Sequence, residues 1–288
     1  MPPPPSILDL GPARATIPPG YVENTRFVFS DESRRLVVSR FDDPAESPDA
    51  IAGEKHDAAL DVTQGAAKVL VREPRALDER PAFLTVYEFT EKGRTQQFAA
   101  LVLQLRHQRY ALLRLSGRGV RPLIDPMLAS VRVGTKVPGA VPAGFERVRD
   151  FVEFRMAVPK GLSRRTPYTF EDPGAGVSWR MDAARVVSKQ FPELARRVPR
   201  PASLDTDPDA TTSTFRGVKR SGPVTIGQTI DTEMAAPGPI VAFAVVTVED
   251  AVQVRLSGQA PPDARARLEA DLASIIGGIA VSPGGEDE

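Results

Sequence analysis

The chain repeats itself, and this constrains its architecture before any single residue is weighed. The order Phe98-Ala-Ala-Leu-Val-Leu-Gln-Leu105, a turn, Tyr110-Ala-Leu-Leu-Arg-Leu-Ser-Gly117 and then Met127-Leu-Ala-Ser-Val131 recurs later. There it reads Val241-Ala-Phe-Ala-Val-Val-Thr-Val248, a turn, Ala251-Val-Gln-Val-Arg-Leu-Ser-Gly258 and Asp271-Leu-Ala-Ser-Ile275. Each copy is strand, tight turn, strand ending in Arg-Leu-Ser-Gly, then a helix carrying Leu-Ala-Ser. The front ends pair too, Ile17-Pro-Pro-Gly-Tyr21 with Val141-Pro-Ala-Gly-Phe145, each leading into an apolar strand. Single short matches arise by chance; their collinear order across both halves points to duplication.

The 288 residues suffice for two cores of roughly 100 to 150 residues each. The Pro/Gly-rich stretch Gly134-Thr-Lys-Val-Pro-Gly-Ala140 reads as the connection, giving domains 1–136 and 137–288, the second copy diverged. The second copy is longer in its middle, where the prolines and aspartates of 199–209 read as a long surface loop.

Within the first copy, Arg26–Phe29 and Leu36–Phe41 flank a turn-like Ser30–Ser33, a hairpin pattern. From Ser47 the chain loses β-branched residues, and Ile51, Ala59, Leu60 and Val62 are spaced for one face of a helix of three to four turns. Lys68–Val71, Ala82–Phe89, Thr95–Leu105 and Arg109–Leu115 alternate as antiparallel strands do. A closing helix covers Leu123–Val131, and Asp263–Ile276 in the second copy, with Asp263 as N-cap and Leu268, Leu272, Ile275 and Ile276 as its apolar stripe. The fold class expected is α+β, in which each copy is an antiparallel sheet meander packed by helices.

Chemistry-bearing patterns are sparse. With no cysteine there are no disulfides, thiolate catalysis or cysteine zinc sites. His56 and His107 fall in no metal-ligand spacing and read as an exposed helix residue and a turn residue. Gly174-Ala-Gly176 and Gly277-Gly278 lack the Lys-Ser/Thr that completes a phosphate loop, and no nucleophile-base pair is recognisable. Asp42-Asp43 and Glu286–Glu288 read as solvated acids, and Trp179 as a packed strand aromatic. A hydrolase is the third reading in rank; the expectation is no enzyme, no cofactor and no metal.

Lysine plus arginine and aspartate plus glutamate are both 37, so no net field would gather nucleic acid. The pairs Arg34-Arg35, Arg164-Arg165 and Arg196-Arg197 read as solvated faces. Met1–Asp9 lacks a basic stretch and a continuous apolar run, and the apolar run Ile240–Val248 falls far short of the roughly 20 residues that span a bilayer. The expectation is a cytoplasmic protein without stable membrane insertion.

The first copy resembles the DcrB-like members of the Mog1/PsbP-like fold, and more narrowly the Eag-type chaperones of bacterial type VI secretion effectors. Ile17–Tyr21, Leu36-Val-Val-Ser-Arg40, Gly93-Arg-Thr-Gln-Gln97 and Asp125-Pro-Met-Leu-Ala-Ser-Val131 carry the resemblance over nearly all of residues 7–133. It implies two tandem domains of that fold whose concave sheet face shields the apolar, transmembrane-like N-terminal helices of a secreted effector before loading. Two copies in one chain imply a monomeric pseudo-dimer. The alternative is a non-catalytic binding protein of the same fold acting as an immunity or assembly factor.

Along the strand after Gly93, alternation puts Gln96, Phe98, Ala100, Val102 and Gln104 on one face. This apolar set bracketed by glutamines is the candidate partner-binding wall, since glutamine side chains can bond polar groups on a bound helix. Val241, Phe243 and Val245 are the corresponding face of the second copy, where core packing is the favoured alternative, and the glutamines of the first also fit strand ends meeting solvent.

Overall fold

Alternating runs extend into longer hairpins than the sequence pattern marks out. The computed structural model describes residues 6–45, 47–62, 67–91, 93–134, 140–148, 151, 153–187, 191–231 and 236–282. The start Met1–Pro5, the centre of the expected linker, residue 92 and the acidic tail lie outside these, as do the side chains of Ala59, Leu60 and Val62.

In chain order the strands are β1 (Ser6–Asp9), β2 (Ala13–Ile17), β3 (Val22–Glu23), β4 (Phe27–Ser30) and β5 (Arg34–Asp42), followed by helix α1 (Pro48–Val62). Next come β6 (Lys68–Leu77), β7 (Arg80–Glu91), β8 (Arg94–Arg106), β9 (Arg109–Gly117), α2 (Arg121–Ala129) and β10 (Arg132–Val133). Then come β11 (Phe145–Val148), β12 (Phe154–Pro159), β13 (Ser163–Arg164), β14 (Tyr168–Asp172) and β15 (Val177–Arg185). Short helices α3 (Phe191–Arg197) and α4 (Ser203–Thr206) precede β16 (Thr211–Gly217), β17 (Arg220–Asp231), β18 (Ala236–Val248) and β19 (Val252–Ala260). A 3₁₀ turn, α5 (Arg265–Gly277) and β20 (Ala280–Val281) complete the described chain.

The chain forms two units, a continuous one, Arg26–Thr166, and a split one, Met1–Thr25 with Pro167–Glu288. Each contains a seven-stranded antiparallel sheet, ordered β13-β4-β5-β9-β8-β7-β6 in the continuous unit and β3-β14-β15-β19-β18-β17-β16 in the split one. Each also contains a three-stranded sheet, β10-β12-β11 and β20-β2-β1 respectively. The two orders correspond strand for strand, except that the lead segment in each unit comes from the other copy. The units are therefore not the continuous stretches 1–136 and 137–288.

This exchange also corrects the register of the repeat. Ile17-Pro-Pro-Gly-Tyr21 closes β2 with Gly20 at φ 96°, and its topological counterpart is Val158-Pro-Lys-Gly-Leu162, which closes β12 with Gly161 at φ 85°. Both turns need the left-handed conformation that glycine adopts freely. Val141–Phe145 instead leads into β11, whose first residue is Phe145. With this register, Ile17 to Val158 spans the same 141 residues as Arg114 to Arg255.

The α+β expectation is overturned: the described chain is mostly β, and large antiparallel sheets dominate. Strands β7, β8, β17 and β18 run 12 to 13 residues, while α2, α3 and α4 have nine, seven and four. Tyr168–Arg200, without a clean counterpart at the level of sequence, supplies β14 and β15 in the places of β4 and β5. Where α1 stands in the first copy, Pro192, Pro199, Pro201 and Pro208 divide the second into α3 and α4, because proline cannot continue a helix interior. The expected surface loop there holds Leu204, which is buried, and follows directly on buried Val198. Asp263 lies in the 3₁₀ turn rather than capping α5, whose N-cap is Ala264.

Aromatic packing fixes the lead segment in the continuous unit. Phe27 meets Phe151 edge-on at 5.2 Å, and Phe151 stacks on Phe154 at 4.9 Å, all three fully buried. The Leu-Ala-Ser serine joins them: Ser130 Oγ donates to the Met127 carbonyl at 2.6 Å and accepts the Ala157 N–H at 2.8 Å. In the split unit Tyr21 donates to Asp271 at 2.7 Å and accepts the N–H of Trp179 at 3.2 Å, tying the segment before β3 to α5 and β15.

Candidate functional site

Cross-strand register defines which side chains share a face. Opposite residues in the continuous unit pair Phe98 with Tyr87 and Ser116, Ala100 with Thr85 and Arg114, Val102 with Phe83 and Leu112, Arg35 with Ser116, and Val37 with Arg114. At one end of this face α1 packs on β7 and β8, and Ile51 and Ala52 join Phe83, Val102, Tyr110 and Leu112 in a buried cluster. At the other end Gln96, Phe98 and Ala100 remain partly exposed.

The candidate wall is thus divided. Gln96, Phe98 and Ala100 lie on the uncovered half, Val102 is core beneath α1, and Gln104 is half-buried opposite Tyr110. His56 of α1 is partly buried, not the exposed residue expected. Its Nδ1 lies 2.8 Å from the Tyr87 hydroxyl and its ring stacks on Tyr87, which in turn leans on Phe98 at 5.8 Å.

Beside Gln96 the sheet end opens into a depression of about 600 Å³ whose lining includes Phe89, Gln96 and Ser116 and both acidic (Asp31, Glu32) and basic (Arg34, Arg35, Arg165) side chains. Its rim is the β4–β5 turn, where Asp31 accepts hydrogen bonds from the backbone N–H groups of Ser33 and Arg34 at 2.7 Å. Some burial pushes the Asp31 carboxyl up, but these bonds and the Arg34 guanidinium outweigh it and hold the group down at about 2.

Arg114 is the unusual charge here. Its Nε is buried without a hydrogen-bond partner, and burial, together with the positive charges of Arg26 and Arg35, pushes its pKa down. Among the described residues no carboxylate pairs with Arg26, Arg35 or Arg114. Two of the arginine pairs depart from the solvated faces expected of them: Arg34 is bound to Asp31, and Arg197 is buried against Asp182 at 2.8 Å. The signal for the site was the arginine that both Arg-Leu-Ser-Gly strands carry.

The split unit differs at the same place. Val241 and Phe243 are buried with Val198 and Leu204, and Val245 packs against that cluster, so α3 and α4 cover this wall. A smaller cavity of about 320 Å³ remains between Val241, Pro199, Pro201, Ser178, Arg180 and Ser257. Arg255 has Asp182 directly opposite it across β15 and β19, and burial lowers its pKa as well.

Among the described residues no three His, Cys, Asp or Glu side chains converge as metal ligands would, and no helix is long and apolar enough to cross a membrane.

No protein family and no curated protein matches the chain. Among solved structures it is similar to the apo structure of TplEi, an immunity protein of the type VI secretion system of Pseudomonas aeruginosa. That likeness has 12% identity, covers 98% of this chain and 98% of that one, and has a TM-score of 0.49. The same immunity protein complexed with an "L" peptide is similar at 11% identity, covering 97% and 99%, with a TM-score of 0.46. Cyanobacterial PsbP from Synechocystis is similar at 17% identity, covering 41% and 84%, with a TM-score of 0.30. Likenesses this distant carry no argument about function.

Proposed function

We propose that this chain is a non-catalytic, cytoplasmic binding protein of a bacterial type VI secretion system that seats a protein partner on the open half of the continuous unit's sheet. The observation supporting this is the partial exposure of Phe98, Ala100 and Gln96, while Val241 and Phe243 in the other copy are buried with Val198 and Leu204. A partly exposed aromatic near a depression is an arrangement in which interface anchors are found. The secretion-system assignment rests on the sequence resemblance of residues 7–133.

Of the two roles that resemblance implies, an immunity or assembly factor suits the site better than a chaperone for wholly apolar helices. A helix without polar side chains laid across Phe98 would desolvate Arg114 and Arg35 and offer them nothing in return. The test is co-expression with the N-terminal segment, and separately the toxic or functional domain, of the effector encoded nearby, read by size-exclusion chromatography with light scattering. A one-to-one complex with that domain, lost in Phe98→Glu, is the expected result. A complex with the apolar segment alone would restore the chaperone reading, and no complex with either would sink both.

A further inference from the structure

We infer that Arg26, Arg35 and Arg114 form a carboxylate-binding site, and that the partner segment docking beside Phe98 carries acidic side chains next to an apolar one. This rests on the proposed binding role of the same face.

The two copies make the argument by comparison. In the split unit the ladder position opposite the repeated arginine is filled by a carboxylate, Asp182, itself paired with Arg197. In the continuous unit that position is Val37, and the nearest charges felt by Arg114 are two more arginines. Like charges held together without a counter-charge are unfavourable, and desolvation of Arg114 adds to it. Carboxylates from a partner relieve both at once, and guanidinium forks bind them bidentately. Gln96 and Ser116 add neutral hydrogen-bonding groups, and Phe98 with Ala100 supplies apolar area alongside. A depression of about 600 Å³ has room for a few side chains rather than a folded domain.

The test uses the full chain and a capped octapeptide of alternating glutamate and leucine with one phenylalanine, titrated calorimetrically beside its glutamine analogue and inorganic phosphate. The expected result is binding of the glutamate peptide, weaker by about tenfold or more for the glutamine analogue, for Arg114→Gln and for Val37→Asp. Raising salt from about 50 mM to about 300 mM should weaken it further. Val37→Asp supplies the carboxylate from within, as Asp182 does; if circular dichroism shows that it fails to fold, Arg114→Gln and Arg35→Gln decide the matter. Equal binding of both peptides, unchanged affinity in the arginine variants, or no binding of either peptide would overturn the inference. So would phosphate that binds as tightly as the peptide, since a free anion would then be the ligand. If Phe98→Glu abolishes partner binding while the arginine variants keep it, the docking face stands and the charge inference alone falls.

Discussion

Asp182 stands directly across the β15–β19 ladder from Arg255, and its Oδ2 also lies 2.8 Å from Arg197 of α3. Asp182 is fully buried, so its charge is tolerable because arginines surround it. Removing it leaves cations buried without compensation. Asp182→Ala should cost about 3–5 kcal/mol of stability. Arg114→Gln, at the corresponding position, should fall within about 0.5 kcal/mol of the parent or raise stability, because it removes charge that has no partner. Urea denaturation of both variants followed by circular dichroism checks the contrast; equal losses would contradict it.

The glycine of each Arg-Leu-Ser-Gly run is required for different reasons. A Cβ on Gly258 would sit 2.4 Å from the Trp179 ring, whereas Gly117, at φ 131°, would put one 2.2 Å from the Ser33 carbonyl. Gly258→Ala should cost about 1–3 kcal/mol by overpacking and shift the emission of Trp179, the single tryptophan of the chain. Gly117→Ala should destabilise without that spectral change, since Trp179 lies in the split unit.

Asp31 gives a pH signature. Its folded carboxyl titrates at about 2, against 3.8 ordinarily, so its contribution is fully present above the unfolded value and is lost as pH falls through the folded one. The β4–β5 turn should therefore loosen between about pH 4 and pH 2, and Asp31→Asn should remove that step. A carboxyl titration by NMR that places Asp31 near 4 would refute this.

Residues 26–166 hold a complete seven-stranded sheet and its aromatic cluster, so this segment expressed alone should fold and unfold cooperatively in urea. Residues 1–136 should not, because they lack Phe151 and Phe154 and strands β11–β13. Dispersed amide NMR spectra from the second segment, and not from the first, would reverse the assignment of units.

The hairpins, α1 and the location of the repeat were legible because period-2 and helical spacing are local properties. Which segment pairs with which is not local. Ser163 pairs with Ser30 and Phe170 with Glu23, and nothing within either short strand marks its distant partner. The partial match of Val141–Phe145 to Ile17–Tyr21 further disguised the true counterpart, Val158–Leu162. At the site, Gln96 and Phe98 could be placed on one face from alternation alone. That Val102 is buried under Ile51 and Ala52 while Phe98 stays partly exposed, and that Arg114 lacks the acid Arg255 faces, depend on tertiary packing. The arginines looked like ordinary surface charge because burial of a strand's polar face is invisible in its own sequence.

The exchanged lead segments bear on how the protein is made. Residues 6–23 leave the ribosome before the strands they pair with, since β2 pairs with β20 near residue 281 and β3 with β14 near residue 170. At synthesis rates of about 5–20 residues per second, this hairpin waits on the order of tens of seconds for its last neighbour. The continuous unit can close once residue 166 has emerged. This hairpin is thus made well before it is locked in place, and in that interval the unpaired edge of β2, with buried-to-be Ala13, Ala15 and Ile17, is open to whatever the cell offers it.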